Sequence, residues 1–337
     1  MGSISKQRQP PLFHYQQFAQ VATLVEQKRQ QGLCISLCIP TLNEAKTIGQ
    51  VVTRLIDLRD KIGLVDEIAV IDSGSTDQTQ TLATAAGADV YLASAILPEL
   101  GPQVGKGENL WKALYQLQGD LFVFVDGDLS NLHPGFVTGL LGPLLGDQRI
   151  GYVKGFYTRP QGIAAQQETQ SCEQGGRLTE ILVRPLLALH YPHLSTFIQP
   201  LGGEYAARRS LLEQLTFPVG YGVELAHLLD LSTHHGLSLF AQTDLGSRCH
   251  RLRSNGQLGQ AAYGILQVLY RRLKQEGTLE WQPEQLAPLV QYAYQNGSHV
   301  KHELFLPENE RPPMIELSQY RQRRGEQATP QRQLVEN

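Results

Sequence analysis

Apolar residues in this chain form short β-prone runs that alternate with stretches of helical periodicity. Predicted strands cover residues 33–39, 67–71, 89–92, 121–125 and 152–156. Predicted helices cover 48–55, 78–86, 107–117 and a segment that begins at Pro134, since proline is tolerated at a helix start. Strand and helix alternate through about residue 160, which predicts a mostly parallel, doubly wound α/β sheet flanked by helices.

The remaining segments differ from this pattern. Residues 1–30 are Gln-rich and polar, with one short predicted helix at 15–28. Residues 161–304 are helical and less regular, and we assign them to the same domain as 31–160. Residues 305–337 are rich in Pro, Gln, Arg and Glu with few apolar residues, so we predict a disordered tail.

Composition narrows the functional class. The chain has 337 residues, 41% of them apolar and 18% charged, which is normal for a globular protein. A net charge of −3 gives no reason to expect nucleic acid as the main partner. No apolar run long enough for a membrane span and no export signal is found, so we predict a cytoplasmic protein with its four cysteines reduced.

Asp126-Gly127-Asp128 is the strongest chemical signal, because it directly follows the apolar run 122–125. Ligands of open α/β sheets bind where strands leave the sheet. Two close carboxylates repel each other, and a divalent cation is the usual relief. A helix cap beside a surface carboxylate is the simpler alternative, but it does not explain why both acids follow a buried strand.

Weaker signals follow the first two predicted strands. Pro40-Thr41-Leu42-Asn43-Glu44 is a polar turn into a helix; Asn43 is the predicted cap, and Glu44 could bind ribose hydroxyls. Asp72-Ser73-Gly74-Ser75-Thr76-Asp77 offers small hydroxyl groups near a tight turn. Taken singly, each is read more readily as an ordinary capped turn. No glycine-rich dinucleotide or P-loop motif follows the first strand, which argues against both of those folds.

Three later motifs carry charge next to glycine. Lys106 lies between Gly105 and Gly107, where its ammonium could meet a phosphate or remain solvated. Gly175-Gly176-Arg177-Leu178-Thr179-Glu180 offers a guanidinium and a hydroxyl at a helix start. Gly220-Tyr221-Gly222-Val223-Glu224 places an acid on the first turn of a helix. His250, which follows Cys249, has no assigned role until a metal site is inferred.

Taken together and in this order, the motifs resemble the glucosyl-3-phosphoglycerate synthases and their mannosyl-3-phosphoglycerate relatives, which are retaining glycosyltransferases of the GT-A fold. The resemblance runs from about Ser36 to Arg253. It implies a Rossmann-like sheet in which 31–160 binds the nucleotide sugar and 161–304 supplies the acceptor-binding portion. It also implies an Mg²⁺ or Mn²⁺ cofactor, 3-phosphoglycerate as acceptor and a homodimer.

The resemblance also implies residue roles. Asp128 and His250 would bind the metal, and the catalytic set would be Asp126, Asp128, Glu224 and Lys106. The nucleotide sugar would contact Pro40, Leu42, Asn43, Glu44, Ser73, Lys106, Asp126, Gly127, Tyr221 and Glu224. The acceptor would contact Gly176, Arg177, Thr179, His250 and Arg253. The block 201–205 would lie near the sugar.

This chain departs from the family pattern at two positions. Gly127 stands where serine is expected, and Leu252 stands where the family tends to carry an asparagine that helps to hold the acceptor; Arg253 is the candidate substitute. The residues leave open whether the donor carries uridine or guanosine and whether the sugar is glucose or mannose. The rival classes are a sugar-phosphate nucleotidyltransferase, a polyprenyl-phosphate glycosyltransferase and a non-catalytic nucleotide-binding regulator.

Overall fold

The computed structural model describes residues 9–158, 176–249, 254–282, 286–295 and 297–327. The strands are β1 Leu12–His14, β2 Ile35–Thr41, β3 Glu67–Asp72, β4 Asp89–Leu92, β5 Leu121–Phe124, β6 Tyr152–Thr158, β7 Tyr205–Arg208, β8 Phe217–Pro218, β9 Phe240–Ser247, β10 Leu289–Gln295, β11 Ser298–Leu304 and β12 Glu310–Arg311. The α-helices are α1 Val21–Gln31, α2 Ile48–Leu55, α3 Asp57–Asp60, α4 Thr79–Ala85, α5 Lys106–Gln116, α6 Gly135–Gly146, α7 Arg184–His190, α8 Arg209–Leu212, α9 Val223–His235, α10 Asn255–Gln275 and α11 Ser318–Gln327. A π-helical turn, Thr179–Val183, leads into α7, and short 3₁₀ turns cover Tyr15–Phe18, Ala93–Ala95, Pro98–Leu100, Pro192–Thr196, Leu237–Leu239 and Met314–Glu316.

Eight strands form the central sheet in the order β1-β9-β6-β7-β5-β2-β3-β4. Every neighbouring pair is parallel except the two pairs made by β7, which runs antiparallel between β5 and β6. The predicted mostly parallel sheet is confirmed. Because the parallel strands share one direction, the loops after β2, β3, β5 and β9 and the residues just before β7 meet at one edge.

Helices cover both faces of this sheet. On one face Val123, Val153 and Ala206 pack under α1, α2 and α6 in an apolar core. On the other face Phe124 and Tyr205 pack under α5, α9 and α10. Strands buried on both faces read as continuous apolar runs, which is why the sequence pattern predicted them correctly.

The segment before residue 31 is part of the sheet layer. β1 pairs in parallel with β9 and so forms the sheet edge. The ring of Tyr15 lies 4.8 Å from that of His133. The helix predicted at 15–28 begins later, at Val21, because a 3₁₀ turn capped by His14 precedes it.

The segment 305–327 differs from the disordered tail that its composition predicts. Arg311 pairs with the buried Glu108 at 2.8 Å, and the indole N–H of Trp111 donates to Pro312 O at 2.8 Å. Met314 is fully buried against the core. A few well-placed contacts with α5 therefore order a stretch that is polar on average, whereas residues 328–337 lie outside the described residues.

Two further findings concern the cysteines and the prediction on membrane spans. Cys34 and Cys38 are free thiols, as predicted, whereas Cys172 lies outside the described residues. Within the described ranges, none of the helices combines the length and the apolar character needed to span a bilayer.

Candidate active site

A cleft of about 480 Å³ opens at the edge of the sheet where β2, β3, β5 and β9 end. Its lining contains every predicted site residue that the structure describes. These are Pro40, Leu42, Asn43, Glu44, Ser73, Lys106, Asp126, Gly127, Asp128, Gly176, Arg177, Thr179, Tyr221 and Glu224. Residues separated by up to 184 positions in the chain are thus brought into one site, as the motif order predicted.

The predicted donor side of the cleft, residues 40–44 and 72–77 (called the donor side below), is organised by the buried carboxylate of Asp72. Asp72 accepts from the backbone N–H groups of Gly74 and Ser75 at 3.0 and 2.7 Å and from the hydroxyls of Ser75 and Thr41 at 2.6 and 2.8 Å. The side-chain amide of Gln80 adds a fifth bond at 3.0 Å. A carboxylate with this many donors fixes the two loops relative to each other.

Asn43 links the two loops instead of capping a helix. Its φ of 58° lies in the left-handed region, where Asn is one of the few side chains tolerated. Its N–H donates to Ser75 Oγ at 2.7 Å, and its Oδ1 accepts from the N–H of Thr76 at 2.9 Å. Helix α2 begins at Ile48, with Thr47 at the N-cap position. The predicted capping role is therefore wrong, although the position in the cleft is as predicted.

Six charged side chains form the charged floor of the cleft: Lys106, Asp126, Asp128, Glu204, Glu224 and Arg248. Lys106 Nζ contacts Asp126 Oδ1 at 2.5 Å and Glu224 Oε1 at 2.7 Å. Arg248 lies 2.7 Å from Asp126 Oδ2, 2.9 Å from Glu204 Oε1 and 3.9 Å from Asp128 Oδ1. Asp126 therefore joins a lysine from α5 to an arginine that follows β9.

Burial and charge compete at these groups. Burial opposes the charge of Lys106, but Asp126 and Glu224 together hold its pKa above the ordinary value. Arg248 behaves alike: burial disfavours its charge, and Glu204, Tyr157, Asp126 and Asp128 hold its pKa well above normal. Burial raises the pKa of Glu204, and Arg248 opposes that rise. The two cations consequently stay charged over the whole working range of pH.

Two glycines make this packing possible. A Cβ on Gly107 would lie 1.8 Å from the carbonyl oxygen of Pro218, and one on Gly203 would lie 2.4 Å from Lys106 Nζ. Gly107 N–H also donates to Gly220 O at 3.2 Å, which fastens the start of α5 to the loop that carries Tyr221. The glycines around Lys106 thus serve a backbone-to-backbone contact that sets Lys106 beside Glu224.

The predicted acceptor side contains Gly176, Arg177 and Thr179. Gly176 has φ 85° and Thr179 is buried in the π-helical turn, an irregularity that is frequent at functional sites. Arg177 Nη1 donates to Asn255 Oδ1 at 2.6 Å, which places the guanidinium at the start of α10. Tyr221, 42% exposed, and the buried Glu224 complete the lining.

His250 and Arg253, with Leu252, lie outside the described residues. Within the part of the chain that is described, no cluster of three metal-ligating side chains occurs. The carboxylate of Asp128, which lines the cleft, is nonetheless the donor type that Mg²⁺ and Mn²⁺ prefer, and a histidine is an acceptable further ligand for Mn²⁺. The residues present fit such an ion.

Sequence reasoning missed Arg248 and Asn109. Asn109 Oδ1 accepts from the hydroxyl of Ser73 at 2.9 Å, and its amide donates to Ile71 O at 2.8 Å. Arg248 directly precedes the Cys249-His250 pair and follows a strand, which was a usable signal. Asn109 lies in a helix next to a recognised motif and gave no comparable signal.

Comparison with known proteins agrees with this geometry. Residues 36–199 match the family model "Glycosyl transferase family 2". The chain is 46% identical over 313 residues, 92% of its length and 95% of the relative's, to the glucosyl-3-phosphoglycerate synthase of Petrotoga mobilis.

Solved structures of the Mycobacterium tuberculosis glucosyl-3-phosphoglycerate synthase are also similar. One, in complex with Mn²⁺, UDP-glucose and phosphoglyceric acid, is 40% identical with a TM-score of 0.75 and covers 87% of this chain and 93% of that one. Another, in complex with Mg²⁺ and UDP, is 38% identical with a TM-score of 0.77 and covers 91% and 98%. The resemblance drawn from the motifs is thus confirmed, and with it the GT-A fold. The chain belongs to the glucosyl-3-phosphoglycerate synthase family of glycosyltransferases.

Proposed function

We propose that this chain transfers glucose from UDP-glucose to the 2-hydroxyl of D-3-phosphoglycerate, with retention of configuration, and needs Mg²⁺ or Mn²⁺. The observation that carries the proposal is that the candidate donor and acceptor residues line one cleft. A relative with bound Mn²⁺, UDP-glucose and phosphoglyceric acid supports this choice of substrates.

The donor side binds the nucleotide. Pro40, Leu42, Asn43, Glu44 and Ser73 surround the space where β2 and β3 end. The hydrogen bonds of Asp72 and Asn43 hold these loops in place before the donor arrives. Donor binding therefore loses little conformational entropy from ordering the loops.

Asp128 and His250 would hold the metal, which neutralises charge on the departing diphosphate when bound. Lys106, in the charged floor of the same cleft, supplies a second, permanent positive charge. Asp126 accepts a hydrogen bond from Lys106 through one carboxylate oxygen and from Arg248 through the other, and so orients both cations. Because these side chains are already paired, they need no rearrangement as charge develops.

The acceptor binds on the opposite side of the cleft. Arg177 suits a carboxylate or phosphate, and Gly176, Thr179, His250 and Arg253 complete the proposed set. Glu224 faces the sugar and orients it, and the acceptor hydroxyl attacks from the face that the diphosphate leaves. The proton of the acceptor hydroxyl passes to an oxygen of the departing diphosphate. Catalysis therefore depends largely on how the two substrates are positioned.

A donor panel tests the proposal. UDP-glucose, GDP-glucose, UDP-mannose and GDP-mannose are each supplied with D-3-phosphoglycerate and Mg²⁺ or Mn²⁺, and released nucleoside diphosphate is measured. We expect UDP-glucose to be used best and the proton NMR spectrum of the product to show an α-anomeric signal. Preference for GDP-mannose would identify a mannosyl transferase, and a β-anomer would contradict retention.

Arg177→Ala tests the acceptor side. Loss of a charge-assisted contact should raise the KM for 3-phosphoglycerate about 10- to 100-fold and leave donor affinity nearly unchanged. The exposed Arg149, which pairs only locally with Asp147 among described residues, provides the control variant Arg149→Ala. Calorimetry that finds donor binding lost and acceptor binding kept would contradict the assignment.

A homodimer is the second proposal, and the β10–β11 hairpin is its candidate interface. Tyr292 and Tyr294 are 64% and 70% exposed and share one face of the hairpin with Val290. Gln291 on the other face donates to Gly256 O at 3.0 Å, so that face is turned to α10. Light scattering should give a dimer mass that Tyr292→Ser with Tyr294→Ser reduces; a wild-type monomer would contradict the proposal.

We also propose a division of the chain and a location for the protein. Residues 31–160 form the donor half and 161–304 the acceptor half of one domain, and the protein works in the cytoplasm. Cell fractionation tests the second assignment.

A further inference from the structure

Lys154 is a buried lysine in the middle of the central sheet. It lies on β6, opposite Tyr205 of β7 and Gln242 of β9, and is 1% exposed. Its Nζ makes no hydrogen bond to any residue in the described ranges, and it lies over the ring of Tyr205, 5.2 Å from the centroid. An ammonium in such surroundings destabilises a fold, so its presence calls for a functional reason.

Other polar groups without partners lie around it. The hydroxyls of Tyr152 and Tyr205 and both ring nitrogens of His227 are buried and make no hydrogen bond within the described part of the chain. The rings of Tyr152 and Tyr205 stack at 5.0 Å, and His227 lies 6.2 and 5.9 Å from them. Buried polar groups gathered in this way are usually joined by ordered water.

This polar cluster, Tyr152, Lys154, Tyr205 and His227, is connected to the proposed reaction centre through helix α9. Helix α9 carries Glu224 on its first turn and His227 one turn later. Burial lowers the pKa of Lys154 to about 8, and Glu224 is the group that most strongly opposes this, ahead of Glu204 and Asp126. Lys106 acts in the same direction as burial.

The groups that face Lys154 come from every neighbouring element. They are Glu224 and His227 on α9, Lys106 on α5, Asp126 after β5, Glu204 and Tyr205 at β7, Tyr152 on β6 and Gln242 on β9. Burial lowers the pKa of His227 to about 3, so His227 is neutral at working pH. Lys154 therefore supplies positive charge to Glu224 from within the sheet, whereas Lys106 supplies it from the cleft.

We propose that Lys154 is a positioning residue for the glucosyl transfer: its ammonium, with Tyr152, Tyr205 and His227, holds the Glu224 carboxylate in place through water. The inference rests on the proposed function, since Glu224 is the residue through which it acts. It touches neither substrate and forms no bond to them. Removing its charge should therefore lower kcat and leave both KM values nearly unchanged.

Lys154 should also lower the stability of the folded protein. An unpaired buried charge costs free energy, and activity that depends on one is a stability–function trade-off. Replacement by methionine, which fills a similar volume without charge, should thus give a slower enzyme that is at least as heat-resistant. A lysine with a merely structural role would show the opposite change in stability.

The experiment compares Lys154→Met with a matched control, Lys112→Met. Lys112 is equally buried on the same side of the sheet, but it has partners: its ammonium donates to Ala93 O at 2.6 Å and pairs with Glu108 at 3.2 Å. For Lys154→Met we expect kcat reduced about 10-fold or more, KM values within about twofold of the wild type, and an unchanged or higher Tm. For Lys112→Met we expect a lower Tm and normal kcat.

The pH profile gives an independent reading. Wild-type kcat should fall as pH rises through about 8, where Lys154 loses its proton, and Lys154→Met should lack this fall. Wild-type kcat in Lys154→Met, or activity lost in proportion to lost folded protein, would overturn the proposal. Should that variant fail to fold, Lys154→Gln is measured alike, and failure of both to fold would also overturn it. If the wild type is inactive with UDP-glucose, the proposed function is contradicted instead. The Tm values of Lys154→Met and Lys112→Met then still test whether the buried charge of Lys154 destabilises the fold.

Discussion

The donor side and the charged floor of the cleft are built in different ways. On the donor side, Asp72 and Asn43 are bonded to neutral hydroxyls and backbone N–H groups of two adjacent loops. In the charged floor, ionic groups from five separate segments are bonded to each other. Both regions are thus internally bonded, and in the proposed function the donor side would serve binding and the charged floor the chemical step.

This difference predicts different kinetic effects. Changes to the donor side should raise the KM of the donor, because binding is what its fixed loops serve. Changes to the charged floor should lower kcat, because paired charges in a water-poor site act mainly on developing charge. The following variants test that division, starting with the largest expected effect.

Asp128→Ala should abolish turnover. The substitution removes a proposed metal ligand, so metal affinity should fall roughly 10-fold or more. The released nucleoside diphosphate is measured at several Mn²⁺ concentrations, with thermal unfolding to check the fold. Asp57→Ala, at an exposed site paired with Lys61, is the control and should behave as the wild type. Full activity of Asp128→Ala in EDTA would refute the metal site.

Glu224→Gln should lower kcat roughly 100-fold without stopping the reaction. Glutamine keeps the shape but removes the charge that pairs with Lys106 at 2.7 Å. Donor KM should change little, and intact-protein mass spectrometry with donor alone should show no added hexose on the wild type. A hexose adduct on Glu224 would indicate a double displacement. The exposed Glu280→Gln is the control.

Asp72→Asn should raise donor KM about 10-fold and lower stability by about 2 kcal/mol, because one oxygen that accepts hydrogen bonds becomes a donor facing other donors. Its effect on kcat should be small by comparison with that of Glu224→Gln. Isothermal titration with UDP and thermal unfolding measure the two effects. If kcat fell as much as in Glu224→Gln while UDP affinity stayed normal, the division between the two regions would be wrong.

The sequence predicted the ends of the strands well, and with them the positions of several residues in the cleft, because the signal is local. Asp126, Asp128 and Ser73 each follow an apolar run. In a parallel sheet the carboxyl ends of the strands lie at the same edge, so these residues are placed together. The role of Asn43 could not be predicted in the same way. Whether an asparagine caps a helix or adopts a left-handed turn depends on Ser75 and Thr76, which reach it from another loop.

The charged floor was harder to predict because it depends on strand order. Arg248 contacts Asp126, which is 122 residues away, because β9, β6 and β7 lie on the same side of β5. Nothing local indicates that β7 is inserted antiparallel between β5 and β6. Lys154 gave one signal, a lysine inside an apolar strand, but its significance depends on Glu224 from a helix that packs over it.

Glu308 tests how the loop that carries Tyr221 and leads into α9 is held. Its carboxylate accepts from the N–H of Gly220 at 2.6 Å, and burial raises its pKa to about 7 although that hydrogen bond opposes the rise. The unfolded chain releases this proton near the ordinary value of 4.5, whereas the folded protein keeps it until about pH 7. Wild-type stability should therefore decrease between pH 4.5 and 7 and show no further loss from this group above that.

Glu308→Gln removes the titration but keeps an acceptor for Gly220. The Tm of the variant minus that of the wild type should thus increase from pH 5 to pH 8, and the exposed Glu316→Gln should give a constant difference. Thermal unfolding across this range measures both. A constant difference for Glu308→Gln would mean that the carboxylate is already ionised at pH 5. The N–H of Gly220 would then donate to an ionised carboxylate, and the loop at Gly220 would be fixed by charge, as the charged floor is.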